Sequence, residues 1–243
     1  MKLSIIIPAK NEEKSLPALF DSLDAQTFQD FETIVADAAS TDGTREIAKR
    51  RSAFIVPGGL PGAGRNAGAE HAHGELLLFL DADVVLPSNN FLECAIEEFQ
   101  ETQADVATAD IAPMSDRMTD KFFFRIYNGY VHLTERIRPH APGFCIFVKK
   151  RVHDAVRGFD EGVVFAEDHE YVQRIVKHRY VFRILRRVPP IQTSVRRFDK
   201  DGRWAIGFKF VWAELRMIFK GPFRNRSPFR YHMGGEGGTG AGG

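Results

Sequence analysis

Two aspartates, Asp81 and Asp83, directly follow the apolar run 76–80. A short apolar run bounded by polar residues is typical of a strand buried on both faces of a sheet. Ligands of open α/β sheets bind beyond the carboxyl ends of the strands, and alternate residues of an extended segment point the same way. Magnesium is usually held by one or two carboxylates plus substrate phosphates. The pattern therefore predicts a metal–diphosphate site, and the alternative is a polar strand end with two solvated aspartates.

Other predicted strand ends carry polar residues that could line the same crevice. The carboxyl ends of parallel strands meet at one edge of a sheet, so residues that follow different strands are expected to come together there. The candidate residues are Pro8, Ala9 and Glu12 at or just beyond the end of strand 3–8, Asp37 after strand 31–36, and Arg65 after the glycine- and proline-rich loop 57–64.

Apolar runs alternate with amphipathic segments along the chain, and this alternation predicts a mostly parallel central sheet with helices on both faces. After about residue 105 the alternation is less regular. The predicted strands are 3–8, 31–36, 54–56, 75–80, 105–111, 144–148 and 180–185, and the predicted helices are 15–25, 44–51, 67–73, 90–100, 122–137, 168–177 and 204–219.

Length and composition are those of one large α/β domain, or of one domain with an appendage. The sequence has no apolar stretch long enough for a transmembrane helix, and its first apolar run is too short for a signal peptide. The chain contains two cysteines, far apart in sequence, which give no disulfide framework. We therefore expect a protein of the reducing cytoplasm.

Charge is distributed unevenly along the chain. Residues 171–243 have a net charge of +12 and the remaining residues have −11, although the whole chain carries only +1. A basic region of this kind favours phosphate groups or an anionic membrane surface. The sequence contains no recognised nucleic-acid-binding module, so nucleic acid is not an expected partner.

The C-terminal region combines basic and aromatic residues. The predicted helix 204–219 is amphipathic, and it could either pack on the domain or lie in a membrane interface beside a lipid-linked acceptor. In the second case the protein would be peripheral at the inner face of the membrane. We divide the chain into a domain over 1–190, a basic extension over 191–233 and a glycine-rich tail over 234–243 that is expected to be disordered.

Six segments, which together extend over roughly residues 1–190, resemble glycosyltransferase family 2, in particular its small non-processive members. They are SIIIPAKNEE, VADAASTDGT, GAGRNAGAEHAHGE, LLLFLDAD, PGFCIFVKKRVHDAVRGFDE and AEDHEYVQRIVKH, and they occur in the order that the family has. The resemblance implies the GT-A nucleotide-sugar-binding fold.

The resemblance also implies roles for the residues that match the family's motifs. The pair Glu167 and Asp168 would lie near the acceptor, with Asp168 as the general base. Arg196 and Arg197 could contact the diphosphate as a closing lid, or could belong to a solvated basic loop. The implied donor-site residues are Pro8, Ala9 and Glu12 at the nucleoside, Asp37 at the base edge, Arg65 at the diphosphate or sugar, Asp81 and Ala82 at the ribose or sugar, and Asp83 at a divalent metal, Mg²⁺ or Mn²⁺.

These roles together predict a metal-dependent, inverting glycosyltransferase. A metal and Arg65 would stabilise the growing charge of a nucleoside diphosphate leaving group, and a carboxylate would accept the acceptor's proton. The donor would be a nucleotide sugar, most simply a UDP-sugar, and the acceptor a glycan, a lipid-linked compound or a small molecule. The alternatives are a sugar-1-phosphate nucleotidyltransferase and a non-catalytic nucleotide-sugar-binding protein. The segment 9–12 lacks the glycine-rich sequence typical of nucleotidyltransferases.

Overall fold

The structure is a computed structural model, and it describes residues 2–224. A seven-stranded sheet has the order β3-β2-β1-β4-β8-β6-β9, and a three-stranded sheet has the order β5-β10-β7. In the large sheet only β8 runs antiparallel to its neighbours, so the predicted mostly parallel sheet is confirmed. The strands are β1 Leu3–Ala9, β2 Phe31–Asp37, β3 Phe54–Pro57, β4 Leu76–Leu80, β5 Val84–Val85, β6 Val106–Ala109, β7 Ile111–Pro113, β8 Cys145–Lys149, β9 Phe182–Leu185 and β10 Ile191–Thr193.

Helices cover both faces of the large sheet, as predicted. Ile5 and Ile7 of β1 point into a core with α1, α2 and α4, whereas Ile6 points to the opposite face, where α3, α6 and α7 pack. The helices of the described residues are α1 Leu16–Asp24, α2 Thr44–Arg50, α3 Pro61–Glu70, α4 Phe91–Glu101, α5 Met118–Thr134, α6 Lys150–Ala155, α7 Glu167–Lys177, α8 Arg196–Asp201 and α9 Arg203–Lys220.

Strand register brings the predicted site residues to one edge of the sheet. Ala9 at the end of β1 pairs with Asp37 at the end of β2, and β4 ends on the other side of β1 immediately before Asp81. The small sheet lies beyond that edge. The Ser194 backbone N–H donates to the Asp83 carbonyl at 3.1 Å, which brings the start of α8 next to the aspartates.

The structure differs from the prediction at the start of α3. The segment 57–64 was expected to be a loop, but α3 begins at Pro61, and proline is favoured in the first turn of a helix. The glycines of α3 allow it to lie close to β1, since a Cβ at Gly68 would overlap the Ile6 side chain. Glycine here serves close packing and not a turn.

The C-terminal part of the described chain packs beside α5. The extension predicted to begin at residue 191 starts within β10, which pairs with β5 and β7, and the domain boundary stays a prediction. Among the residues that the structure describes, no helix is long and apolar enough to cross a bilayer. The tail 234–243, for which disorder was expected, lies outside the described residues.

Candidate functional site

Asp37 lies at the C-terminal end of β2, on the edge of the sheet where the predicted site residues meet. Its side chain is buried, and its Oδ2 accepts hydrogen bonds from the Ser40 backbone N–H at 3.2 Å and from Arg45 Nη1 at 3.3 Å. Its Oδ1 is also buried and has no hydrogen-bond partner among the described residues. A buried acceptor without a donor is costly, so Oδ1 is available to an N–H group that a ligand brings.

Hydrogen bonds connect the loop after β1 to the loop after β2. The side-chain Oδ1 of Asn11 accepts a hydrogen bond from the Thr41 backbone N–H at 2.8 Å, and the Asn11 backbone N–H donates to Ser40 Oγ at 2.9 Å. Asn11 and Ala39 both have left-handed backbones, with φ of 53° and 55°. Such conformations cost energy in residues other than glycine and concentrate at functional sites.

Arg65 connects two parts of the crevice that are far apart in sequence. Its guanidinium is 2% exposed, and it donates from Nη2 to Asp81 Oδ1 at 2.8 Å and from Nη1 to Glu167 Oε1 at 2.7 Å. Gly143 makes room for it, because a Cβ at that position would overlap the Arg65 side chain. The structure therefore places Arg65 beneath the crevice as a bridge between Asp81 and Glu167.

Burial and charge act against each other in this cluster. Burial raises the pKa of both Asp81 and Glu167 above the usual range, and neighbouring carboxylates raise it further, while Arg65 opposes the shift. Burial would lower the pKa of Arg65, but the charges of Asp81, Glu167 and Asp168 raise it instead. The positive charge of Arg65 thus offsets the mutual repulsion of the neighbouring carboxylates.

Asp83 shares a cation with Glu12. Arg196 Nη2, at the start of α8, lies 3.1 Å from Asp83 Oδ2 and 2.8 Å from Glu12 Oε2. Burial raises the pKa of Glu12, against the opposing charge of Arg196. No group of three or more potential metal-ligating side chains occurs in residues 2–224. The Asp83 carboxylate suits a divalent ion that is held by one or two protein carboxylates and completes its coordination shell with phosphate oxygens.

The predicted pair Glu167 and Asp168 lies at the start of α7. Ala166 precedes the helix with a left-handed backbone, φ 55°, and the turn that results directs Glu167 and Asp168 inward. Asp168 Oδ2 accepts from the Gly143 backbone N–H at 2.6 Å, and Oδ1 accepts from the His169 N–H at 2.8 Å. Each carboxylate oxygen retains a lone pair for a further donor.

A polar cluster that the sequence did not indicate lies behind Asp168. Glu214 of α9 accepts from the Tyr130 hydroxyl at 2.8 Å, pairs with Arg138 at 3.0 Å and lies 3.6 Å from His169 Nδ1. Burial opposes its ionisation, but His169, Tyr130 and Arg138 lower the pKa of Glu214 to about 2. Only the spatial approach of α5, α7 and α9 brings these residues together.

The remaining predicted residues lie at the same edge of the sheet. Pro8 and Ala9 end β1, and the Ala9 carbonyl accepts from the Ala38 N–H at 2.8 Å. Ala82 is buried between the two aspartates, and the positive charge of Arg197 acts on Asp81. The fold thus brings every predicted site residue to one region, although their roles stay predictions.

Comparison with known proteins identifies the family. The family model described as glycosyl transferase family 2 matches residues 4–156, which is more than half of the chain. The chain belongs to glycosyltransferase family 2. The resemblance inferred from the six sequence segments is therefore confirmed.

Relatives in this family share only part of their length with the chain. The 4,4'-diaponeurosporenoate glycosyltransferase of Staphylococcus haemolyticus is 37% identical over 110 residues, which is 42% of this chain and 29% of that protein. The chain accordingly spans less than a third of the length of this curated relative.

Solved glycosyltransferase structures have the same fold. S. aureus TarS in complex with UDP-GlcNAc aligns with a TM-score of 0.63 and 24% identity, over 81% of this chain and 59% of that chain. The mannosyltransferase PcManGT from Pyrobaculum calidifontis, in complex with GDP-Man and Mn²⁺, aligns with a TM-score of 0.64 and 21% identity, over 79% and 56%. These likenesses confirm the GT-A fold that the family resemblance implied.

Proposed function

We propose that this family 2 chain is an inverting glycosyltransferase that moves a sugar from a UDP-sugar to an acceptor hydroxyl. The observation that carries the proposal is the Arg65 bridge, which joins Asp81 at 2.8 Å to Glu167 at 2.7 Å. The first carboxylate follows a strand at the donor side, and the second begins the helix at the acceptor side. The buried Arg65 thus holds the proposed donor-side carboxylate, Asp81, close to the proposed acceptor-side carboxylate, Glu167.

The nucleoside would lie over the ends of β1 and β2, against Pro8, Ala9 and Glu12. Asp37 Oδ1, buried and without a donor, would accept the N3–H of uracil. A hydrogen bond to a charged acceptor contributes about 1.5–3 kcal/mol, and leaving that acceptor unpaired has a cost of its own. Uracil suits this oxygen, because it has a single ring N–H on its pairing edge and leaves no further donor unpaired there.

Asp83 would hold a divalent metal, Mg²⁺ or Mn²⁺, with the donor diphosphate supplying further oxygens. When bound, such an ion neutralises the negative charge that develops on the leaving diphosphate. Arg196 and Arg197, on the adjacent α8, would contact the diphosphate once it is present. Arg65, whose two terminal nitrogens are already paired, would orient Asp81 and Glu167 and would not bind the phosphates directly.

Asp168 would act as the general base. Its two oxygens are held by backbone N–H groups at 2.6 Å and 2.8 Å, so its orientation is fixed before the acceptor arrives. It would take the proton from the acceptor hydroxyl as the oxygen attacks the anomeric carbon, opposite the leaving diphosphate. A single displacement of this geometry inverts the anomeric configuration, as in one-step glycosidases.

Relatives support this donor class. The TarS structure contains UDP-GlcNAc, and the mannosyltransferase structure contains GDP-Man with Mn²⁺. Family membership does not favour the nucleotidyltransferase alternative. For the acceptor, a glycan, a lipid-linked compound and a small molecule all remain in the proposal. We also propose peripheral association of residues 205–233 with an anionic membrane, which the exposed aromatic residues of α9 support.

A screen of nucleotide sugars with and without Mn²⁺, followed by thermal unfolding, tests the donor proposal. Ligands that bind the folded state raise the midpoint, and UDP-sugars are expected to raise it more than GDP-sugars. Asp37→Asn should remove most of this shift, whereas Asp30→Asn, an exposed control on the loop before β2, should keep it. Equal shifts for all bases, or a normal shift in Asp37→Asn, would contradict the assignment.

A further inference from the structure

We propose that α5 and α9 together form one docking face for an anionic membrane surface. The inference enlarges the peripheral association of the C-terminal segment into a two-helix surface, and it does not depend on the transfer reaction. It is carried by two aligned stripes of exposed apolar side chains and by the arrangement of charges around them.

The first stripe runs along α9. Five large apolar side chains, spaced three or four residues apart, are between 51% and 82% exposed. At about 3.6 residues per turn, this spacing puts them on one side of a helix of 18 residues, which spans about 27 Å. They are Trp204, Phe208, Trp212, Leu215 and Phe219.

The second stripe runs along α5. Met118, Phe122, Ile126 and Leu133 recur at helical intervals of four, four and seven residues, and they are between 53% and 79% exposed. Isolated exposed apolar residues are ordinary, but two continuous stripes on neighbouring helices mark an interaction surface.

The two stripes face the same side of the molecule. The N-terminal halves of the helices meet where the Phe123 and Trp204 rings lie 5.2 Å apart, and the C-terminal halves meet at the Tyr130–Glu214 hydrogen bond, so the helices run parallel. On α5 the side that contacts α9 lies about a quarter turn from the apolar stripe in one sense of rotation about the helix axis. On α9 the side that contacts α5 lies about a quarter turn from the stripe in the opposite sense. Side by side, the helices therefore present one continuous apolar face.

The charges of the two helices are separated by sign. Both acidic side chains, Asp120 and Glu214, point inward, where Asp120 pairs with Arg203 and Glu214 pairs with Arg138. Exposed charged residues on the described parts of both helices are basic, and they flank the apolar face at its outer edges. They are Lys121 and Arg125 on α5 and Lys220 on α9, and Lys121 also lies 3.3 Å from the exposed Asp116 that precedes α5.

This arrangement fits an anionic bilayer surface better than a second copy of the chain. In the membrane interface, apolar side chains enter the boundary between headgroups and acyl chains while lysine and arginine attract anionic headgroups. A symmetric dimer through the same face would gain apolar contact, but it would offer the basic edges no acidic partner on these helices. Glu214 of α9 lies 3.6 Å from His169, the neighbour of Asp168, so docking would bring the proposed acceptor side near the bilayer.

The chain offers a built-in reporter, because its two tryptophans, Trp204 and Trp212, both lie on the face. The experiment adds vesicles of phosphatidylglycerol and phosphatidylcholine in equal parts, or of phosphatidylcholine alone, to the full chain. Tryptophan emission should shift to shorter wavelength with the anionic vesicles, and the protein should float with them. Raising the salt from about 0.1 M to about 1 M should weaken this binding.

Variants separate the two helices. Phe122→Ser with Leu133→Ser alters α5, Phe208→Ser with Leu215→Ser alters α9, and both keep the tryptophans. Each pair should reduce partitioning at least about tenfold, since each removes two large apolar contacts. Phe54→Ser, which removes a 57% exposed side chain from the edge strand β3, should leave partitioning unchanged. Circular dichroism and UDP-sugar binding confirm that each variant is folded.

Four results would overturn the proposal. The first is a wild-type chain that does not bind anionic vesicles. The second is an α5 variant that binds like the wild type, since the two-helix face requires both stripes. The third is tryptophan emission that is already at short wavelength without lipid and does not respond to it. The fourth is a dimer that the α5 variant dissociates. Either of these shows that protein covers the face. Normal donor binding in all variants would leave the proposed function standing.

Discussion

Arg196 Nη2 lies 3.1 Å from Asp83 Oδ2, so a protein cation already occupies the carboxylate that is expected to hold a metal. The same nitrogen is 2.8 Å from Glu12 Oε2. A divalent ion bound at Asp83 would compete with this guanidinium for Oδ2. Arrival of the donor with its metal would therefore release Arg196 from the carboxylates and free it to bind the diphosphate.

Replacement of Arg196 should change metal and donor affinity in opposite directions. Arg196→Gln is expected to bind Mn²⁺ alone about three- to tenfold more tightly, because the competing cation is gone. It should bind UDP-sugar more weakly, because a phosphate ligand is lost. Electron paramagnetic resonance of free Mn²⁺ measures the first effect and calorimetry the second. Arg187→Gln, an exposed arginine that pairs with Glu101 away from the crevice, is the control. Unchanged Mn²⁺ affinity would show that Arg196 does not compete for the site.

Replacement of Asp168 should separate binding from chemistry. Asp168→Asn is expected to lower the transfer rate by about 10²–10⁴-fold while donor affinity stays close to that of the wild type, because the proton acceptor is lost and the donor contacts remain. The matched control is Asp154→Asn on α6, whose side chain is 57% exposed. Initial rates with saturating donor, together with calorimetry, give the two quantities. A fully active Asp168→Asn chain would require another base.

Loss of the buried arginine should destabilise the fold. Arg65→Gln leaves Asp81 and Glu167 close together without a cation, and breaking a buried ion pair costs about 3–5 kcal/mol of unfolding free energy. Urea unfolding at neutral pH measures the loss. Adding Glu167→Gln to Arg65→Gln should recover part of it, since one unpaired charge is removed. Additive losses in the double variant would argue against direct coupling.

Stability in acid should depend on Glu214. Its pKa in the folded protein is about 2, below the ordinary value of 4.5, so the ionised form stabilises the fold above about pH 4.5 and this contribution disappears as the pH falls towards 2. The contribution is about 3 kcal/mol at most. Glu214→Gln should be less stable at neutral pH, and its unfolding free energy should change less between pH 5 and about pH 2. Parallel pH profiles of wild type and variant in urea would contradict this role.

The alternation of apolar runs predicted the central sheet well, because strands buried on both faces leave a strong sequence signal. Val84–Val85 and Ile191–Thr193 escaped prediction, since strands of two or three residues are too short to show a period. Pro61–Glu70 was only partly recognised as a helix because its glycines resemble a loop in sequence. These glycines allow α3 to lie close to Ile6 and Pro8 of β1, and this contact can be recognised only from the tertiary structure.

The sequence alone determined which carboxylates follow strands and therefore at which edge of the sheet they meet. This follows from local periodicity, since a strand must stop where its apolar run stops, and parallel strands end together. The tertiary structure decided what each charge is paired with. Arg65 meets Glu167 across 102 residues of chain, and Arg196 meets Glu12 across 184. No local pattern encodes such contacts, because side-chain pairing across loops depends on how the separate elements pack.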